Sequence, residues 1–324
     1  MNNTIKKLKE KIYGGELITR DEAISLIDAP FEELCDTANE IREKFCSNTF
    51  DMCTIINGKS GRCSENCKYC AQSAHYCTSI EEYPLLDTDK ILEQALYNYE
   101  RGVPRYSIVC SGRKLSDSEV DKLCDSIREI KKVCPISICV SLGLLDEKNF
   151  RKLKDAGVQR VHNNLETSER FFPQICTTHT YADKIAAINA AKAAGLEICS
   201  GGIMGLGETM EDRIDMVLQA RELGVRSIPV NMLNPIPHTP LENNKVLSTE
   251  EMARTTAIFR FIIPDGFIRL AGGRGLMPDK GEKLFCSGAN AAITGDMLTT
   301  QGITIEKDML TLDRLGYKVG LSNV

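Results

Sequence analysis

Residues 193–209 read AAGLEICSGGIMGLGET. A helix-like run ends in small residues and Gly195, and a short β-rich run follows. The same junction recurs in ERGVPRYSIVCSG (100–112), DAGVQRVHNNLE (155–166) and ELGVRSIPVNML (222–233). Gly102, Gly157, Gly195 and Gly224 each suit the left-handed position just past a helix end, where a β-carbon is costly. The runs before them keep helical periodicity, as in Ile91, Leu92, Ala95, Leu96 and Tyr99. Helix followed by strand, over and over, implies βα units and a parallel sheet.

Working outward, eight strand candidates emerge: DMCTII (51–56), RYSIVCSG (105–112), ISICVSLG (136–143), RVHNNL (160–165), LEICSGGI (196–203), RSIPVNML (226–233), GFIRLAG (266–272) and NAAITGD (290–296). Eight units favour an α/β fold of the (β/α)8 TIM-type barrel class over residues 51–305. An open doubly wound sheet is the alternative, but no G-x-G-x-x-G follows the first strand. Residues 1–50 read as an N-terminal helical extension capping the bottom of the barrel, with Asp21 and Glu22 in a first turn. Residues 306–324 read as a C-terminal helix (308–316) and tail.

At 324 residues with 42% hydrophobic side chains, the chain buries an ample core without disulfides. A net charge of −5 argues against bulk nucleic-acid or membrane binding. The start, MNNTIKKLKEKIYGGEL, lacks an apolar leader, and no stretch approaches a membrane span, so a cytoplasmic location is expected. Fourteen cysteines in such a chain then point to reduced thiols that serve metals. Cys35, Cys46, Cys124 and Cys176 show no cluster spacing and read as small buried hydrophobes.

GRCSENCKYCAQSAHY, residues 61–76, holds Cys63, Cys67 and Cys70 in a C-x3-C-x2-C spacing. It follows the first strand, so in a barrel it lies at the C-terminal face, where active sites are built. Structural zinc closes with four ligands, and His75 or Cys77 would have to complete it. Three thiolates in one loop suit a [4Fe–4S] cluster with one iron left open.

This loop resembles that of the radical S-adenosylmethionine (AdoMet) superfamily. The resemblance implies that AdoMet chelates the open iron through its amino and carboxylate groups. Reduction of the cluster then cleaves the sulfonium to a 5′-deoxyadenosyl radical. Tyr69 resembles the aromatic residue near adenine. Five segments, INGKSGRCSENCKYCAQSAHY (56–76), HNNLETS (162–168), CSGGIMGLGET (199–209), PVNMLNPIPHTPL (229–241) and IRLAGGRGLM (268–277), fall in the order of the biotin synthase family. The likeness runs from about residue 50 to residue 300. It implies sulfur insertion between two unactivated carbons of dethiobiotin.

The resemblance also implies roles. Asn164 and Glu166 match residues holding substrate and the AdoMet ribose, although the family more often has Asp at the second position. Gly201, Gly202 and Ile203 lie in the glycine-rich strand end, where the backbone can approach a planar cofactor. Lys184 matches a basic residue near the AdoMet carboxylate. Asn231 matches the residue bonded to the substrate's ureido group, which an amide suits because it donates and accepts. Thr299 and Thr300 match a substrate-contacting pair.

The family carries an auxiliary iron–sulfur cluster as sulfur source, held by three cysteines and an arginine. Cys139, Cys199 and Arg269 match on the third, fifth and seventh strands. The second-strand cysteine is replaced by Ser107, and Cys110, three residues on, faces the other way. Cys53, on the first strand, joins the alternate set of strands one, three, five and seven, which fill one layer of such a barrel. Cys53 is therefore the expected substitute ligand, with a four-iron cluster favoured over the two-iron form. Arg269, always protonated, would support an anionic cluster through charge-assisted hydrogen bonds. His162, where the family commonly has Asn, is a further ligand or donor.

Expected partners are dethiobiotin, a flavodoxin or ferredoxin electron donor, iron–sulfur assembly proteins and a second copy in a homodimer. A radical maturase or mutase on the same barrel, and a non-catalytic iron–sulfur carrier or scaffold, are the alternatives.

Overall fold

Burial without alternation marks the strands of this chain. RYSIVC is buried on both faces over nearly its whole length, as expected where helices cover a parallel sheet. The computed structural model describes residues 2–300 and 302–321. Three helices lead, α1 (Asn3–Tyr13), α2 (Arg20–Ile24) and α3 (Phe31–Cys46). Then come β1 (Thr49–Lys59), α4 (Thr88–Glu100), β2 (Arg105–Cys110), α5 (Asp117–Val133), β3 (Ser137–Ser141), α6 (Glu147–Ala156) and β4 (Val158–His162). Next are α7 (Phe172–Ile175), α8 (Tyr181–Ala193), β5 (Glu197–Cys199), β6 (Gly202–Met204), α9 (Met210–Glu222) and β7 (Ser227–Met232). The chain finishes with α10 (Thr249–Ile262), β8 (Phe267–Leu270), α11 (Glu282–Phe285), β9 (Ala291–Ile293), α12 (Ile305–Arg314) and β10 (Lys318–Val319).

The strands pair in parallel in the order β1, β2, β3, β4, β5, β7, β8, β9, and β9 pairs back to β1, closing a (β/α)8 barrel. Local chemistry sets the turns on both ends. Gly102, Gly157, Gly195 and Gly224 all take positive φ where the preceding helices end. At the other end, Ser116, Thr180 and Thr209 start α5, α8 and α9 through reciprocal capping boxes with Glu119, Asp183 and Asp212.

Three features differ from the sequence expectation. The fifth predicted strand is broken into β5 and β6 at Ser200–Gly201. A β-carbon on Gly201 would stand 2.1 Å from the Pro229 carbonyl oxygen, and one on Gly202 2.1 Å from that of Glu166. These glycines let neighbouring backbones touch within the barrel wall. The N-terminal helices pack on the outer ring, α3 and α1 against α10 and α2 against α9. The inward face of α3, Leu34, Cys35, Ala38 and Ile41, is apolar and needs that cover. The last helix starts at Ile305, and the tail after it adds β10 beside Thr49 and Phe50 of β1. Among the described residues, no helix is long and apolar enough to cross a membrane.

Candidate active site

The loop after β1 is held by hydrogen bonds of its own. Cys63 N–H donates to the Gln72 carbonyl at 3.0 Å, Ala74 N–H to the Cys63 carbonyl at 2.8 Å, and Cys70 N–H to that of Cys67 at 3.0 Å. The loop is also tied to the segment after α7. Lys68 N–H donates to the Ile175 carbonyl at 2.9 Å, and the Thr178 hydroxyl to Glu65 Oε2 at 2.8 Å. Cys63 and Cys70 border a cavity of about 410 Å3 that fills the C-terminal mouth and the barrel interior. Burial pushes the Cys70 thiol up to about 11, with Cys63 and Glu166 nearby adding to it. Cys67 lies against Cys176, with the sulfurs 3.7 Å apart. Cys176 in turn lies 3.2 Å from Nδ1 of His179, which is 2.6 Å from Glu65.

Around the mouth, Tyr69, Asn164, Glu166, Lys184, Ile203, Asn231, Thr299 and Thr300 all border the same cavity. The Tyr69 hydroxyl is buried beside Glu166, and both facts push it well above its ordinary range. Asn164 donates to Glu166 Oε2 at 3.2 Å and accepts from Gly201 N–H at 3.1 Å. Glu166 takes a positive φ of 73°, a backbone state a non-glycine residue adopts only where its surroundings hold it. Those surroundings are the Gly201 carbonyl and the Ile203 N–H, which bond its backbone. Lys184 donates to the Asn163 side chain at 3.3 Å. Asn231 donates to the Gly202 carbonyl at 3.0 Å and accepts from Gly272 N–H at 2.9 Å, leaving one N–H and one lone pair for a ligand. Gly201 and Gly202 do not border the cavity; their role visible in the structure is the wall contact described above.

Deeper, at the level of the strands, Cys53, Cys139, Cys199 and Arg269 come to one place on the cavity wall. All three cysteines are free and buried. Arg269 Nη1 is 3.4 Å from Cys53 Sγ, and its Nη2 donates to Asp51 at 2.7 Å. Burial raises the Cys53 thiol, with Arg269 opposing. Burial, with Cys199 nearby, pushes Cys139 up to about 12. Cys199 Sγ lies 3.2 Å from Ser227 Oγ, and although burial acts on this thiol too, the neighbouring His162 and the Arg269 and Arg160 charges outweigh it and bring it down to about 6. Ser107 and Cys110 both border the cavity, but Ser107 stands opposite Cys139 in the β2–β3 register, whereas the Cys110 thiol lies near Lys59 and Glu119.

The Radical SAM superfamily matches residues 58–220, and the Biotin and Thiamin Synthesis associated domain matches residues 229–318. A curated biotin synthase of Brachyspira hyodysenteriae is 61% identical over 98% of this chain and 96% of its own length. One from Akkermansia muciniphila is 59% identical over 96% and 97%, and one from Clostridium botulinum 57% over 98% and 100%. The chain belongs to the biotin synthase family. Solved structures share its fold at low identity. Methylornithine synthase (PylB) has a TM-score of 0.84 at 17% identity, covering 97% of both chains. HydG, a maturase of the [FeFe]-hydrogenase, has 0.85 at 18%, covering 100% of this chain and 76% of its own.

Within this biotin synthase family member, two groups of side chains escaped the sequence reading. The first is a charged layer beneath the thiols. Asp51, fully buried, accepts from both Arg105 and Arg269. The two guanidiniums outweigh its burial and hold its carboxyl well below the usual range. Arg160 pairs with Glu197. Asp51, Arg105, Arg160 and Glu197 each stand two residues before Cys53, Ser107, His162 and Cys199. On a strand that spacing puts them on the same face, one level lower. The alternation was readable; the pairing needed the strand register. The second group is Cys176, His179 and Glu65 behind Cys67. Its only sequence signal was the Cys-x2-His spacing after α7.

Proposed function

We propose that this chain inserts sulfur into dethiobiotin to form biotin, using two iron–sulfur clusters and AdoMet. The observation that carries the reading is one cavity with thiols at two levels, Cys63 and Cys70 on the mouth loop and Cys53, Cys139 and Cys199 among the strands. A substrate between the levels meets radical chemistry from one side and a sulfur source from the other.

The residues fit the groups required. Cys63, Cys67 and Cys70 are three soft ligands on a loop whose shape rests on its own hydrogen bonds. They would hold a [4Fe–4S] cluster with one iron open to AdoMet. Among the strands, three permanently charged guanidiniums, Arg105, Arg160 and Arg269, face two carboxylates, the fully buried Asp51 and the largely exposed Glu197. That net positive charge opposes the effect of burial on Cys53, Cys139 and Cys199 and suits an anionic cluster bound to them. With AdoMet and an electron, the first cluster supplies a radical able to abstract hydrogen from an unactivated C–H bond.

The chain's own residues do the positioning. Glu166 presents a carboxylate at the height of Tyr69, suited to a ribose diol beside a stacked adenine. Lys184 offers a cation to the AdoMet carboxylate. Asn231 has one donor and one acceptor left for the ureido ring, and Asn164, Thr299 and Thr300 add polar contacts to substrate. Arg269 holds Cys53 and would support the sulfides of a cluster bound beside it. We assign residues 1–50 as an outer helical extension, 51–305 as the barrel, and 306–324 as the closing tail. A flavodoxin or ferredoxin would deliver electrons, assembly proteins the clusters, and two copies would form the dimer.

The test is anaerobic reconstitution followed by reductant, AdoMet and dethiobiotin. The reading expects 5′-deoxyadenosine and biotin together. Reconstituted protein that makes no deoxyadenosine defeats it.

A further inference from the structure

Arg160 stands out among the buried cations. It is 5% exposed, in the middle of β4. Its Nε and Nη2 both donate to a single oxygen of Glu197, at 3.0 and 2.8 Å. Its Nη1 is buried with no hydrogen-bond partner among the described residues. Leaving a charged donor dry and unpaired is costly, and native proteins rarely do so without a use for the group.

The surroundings say what the use is. Arg160 borders the cavity. It sits opposite Cys139 in the β3–β4 register. The next residue on its face, His162, sits opposite Cys199 in the β4–β5 register. Glu197, the one carboxylate partner of Arg160, has a side chain 58% exposed and gives only partial compensation. A donor without a partner, set between two cysteines on a cation-rich floor, matches a small, anionic, sulfur-rich acceptor.

We propose that Arg160 is a further cofactor-binding residue of the second site, its Nη1 donating a charge-assisted hydrogen bond to an inorganic sulfide of the cluster on Cys53, Cys139, Cys199 and Arg269. The inference rests on the two-cluster reading above. Arg269 grips the group from β8 through the Cys53 side, and Arg160 grips it from β4 through the Cys139 and Cys199 side. Hydrogen bonds to sulfides raise a cluster's potential and keep the sulfides in place.

The test compares full-length wild type with Arg160→Met, Arg160→Lys and Glu197→Gln after anaerobic reconstitution. Readouts are iron and acid-labile sulfide content, midpoint potential, and loss of the second cluster to a chelator. Wild type is expected to hold more than the four irons and four sulfides of one [4Fe–4S] cluster. Arg160→Met is expected to surrender the second cluster about tenfold faster to chelator, at a more negative potential, with the first cluster unchanged. Glu197→Gln keeps Nη1 and is expected to retain both clusters. Should Arg160→Met fail to fold by circular dichroism, Arg160→Lys decides, with full iron content but a shifted potential. Wild-type content, potential and chelator resistance in the folded Arg160 variant would overturn the inference and leave the two-cluster reading standing. A wild type that binds only four irons would overturn both.

Discussion

Cys53 and Asp51 lie two residues apart on β1, and Arg269 touches both, at 3.4 Å from the sulfur and 2.7 Å from the carboxylate. The arginine is thus fixed by an ion pair within the barrel. Replacing Cys53 with Ala should leave that ion pair and the fold intact but remove iron and sulfide beyond those of the first cluster. Iron and sulfide analysis checks this; full content in Cys53→Ala would remove it from the ligand set. At this scale Cys63, Cys67 and Cys70 were legible from their spacing, Cys139 and Cys199 through the family resemblance, and Cys53 through strand alternation, which could equally have marked a buried thiol. The sequence carried Asp51, Arg105 and Arg160 only faintly. A charged residue in a strand reads as solvent-facing until its register is known, and these pair across strands that the chain separates by tens of residues. The Cys67–Cys176 contact spans 109 positions and was not legible at all.

At the scale of elements, the repeated helix–glycine–strand junction was sufficient for the barrel because each glycine answers a local backbone demand. The break between β5 and β6 was not legible, since SGG looks the same whether its glycines face a ligand or a neighbouring carbonyl. With the Glu166 oxygen 2.1 Å from where a β-carbon would lie, Gly202→Ala should destabilise the chain by at least about 2 kcal/mol. Chemical denaturation checks it, and a loss near zero would mean that the wall gives way easily. The start of α9 yields a pH prediction. Asp212 accepts from Thr209 N–H at 2.9 Å and from the Ser168 hydroxyl at 2.6 Å, and pairs with Arg170. Although burial opposes ionisation, these bonds lower its pKa. Its stabilisation is therefore present at neutral pH and is lost as pH falls through and below the unfolded carboxylate value of about 4. Asp212→Asn should be less stable than wild type by about 1–3 kcal/mol at pH 7. The gap should close below pH 4; a gap independent of pH would contradict the assignment.

On the scale of the whole molecule, closure of β9 onto β1 brings Cys53 beside the eighth strand unit and turns an open row of strands into one chamber. The mouth loop covers that chamber, and the charged layer floors it. Neither of the other readings considered from the sequence uses this arrangement as fully. An electron carrier needs no chamber, and a maturase or mutase working on an amino-acid-derived substrate has no need of the deep thiols. The central claim is that the sulfur in the product comes from the floor of this cavity. The most direct measurement is a single-turnover reaction of protein whose clusters were reconstituted with 34S-sulfide, supplied with AdoMet, reductant and unlabelled dethiobiotin, and read by mass spectrometry of the product. The account predicts biotin carrying 34S, formed together with 5′-deoxyadenosine. Biotin without the label, or deoxyadenosine with no biotin, would contradict it.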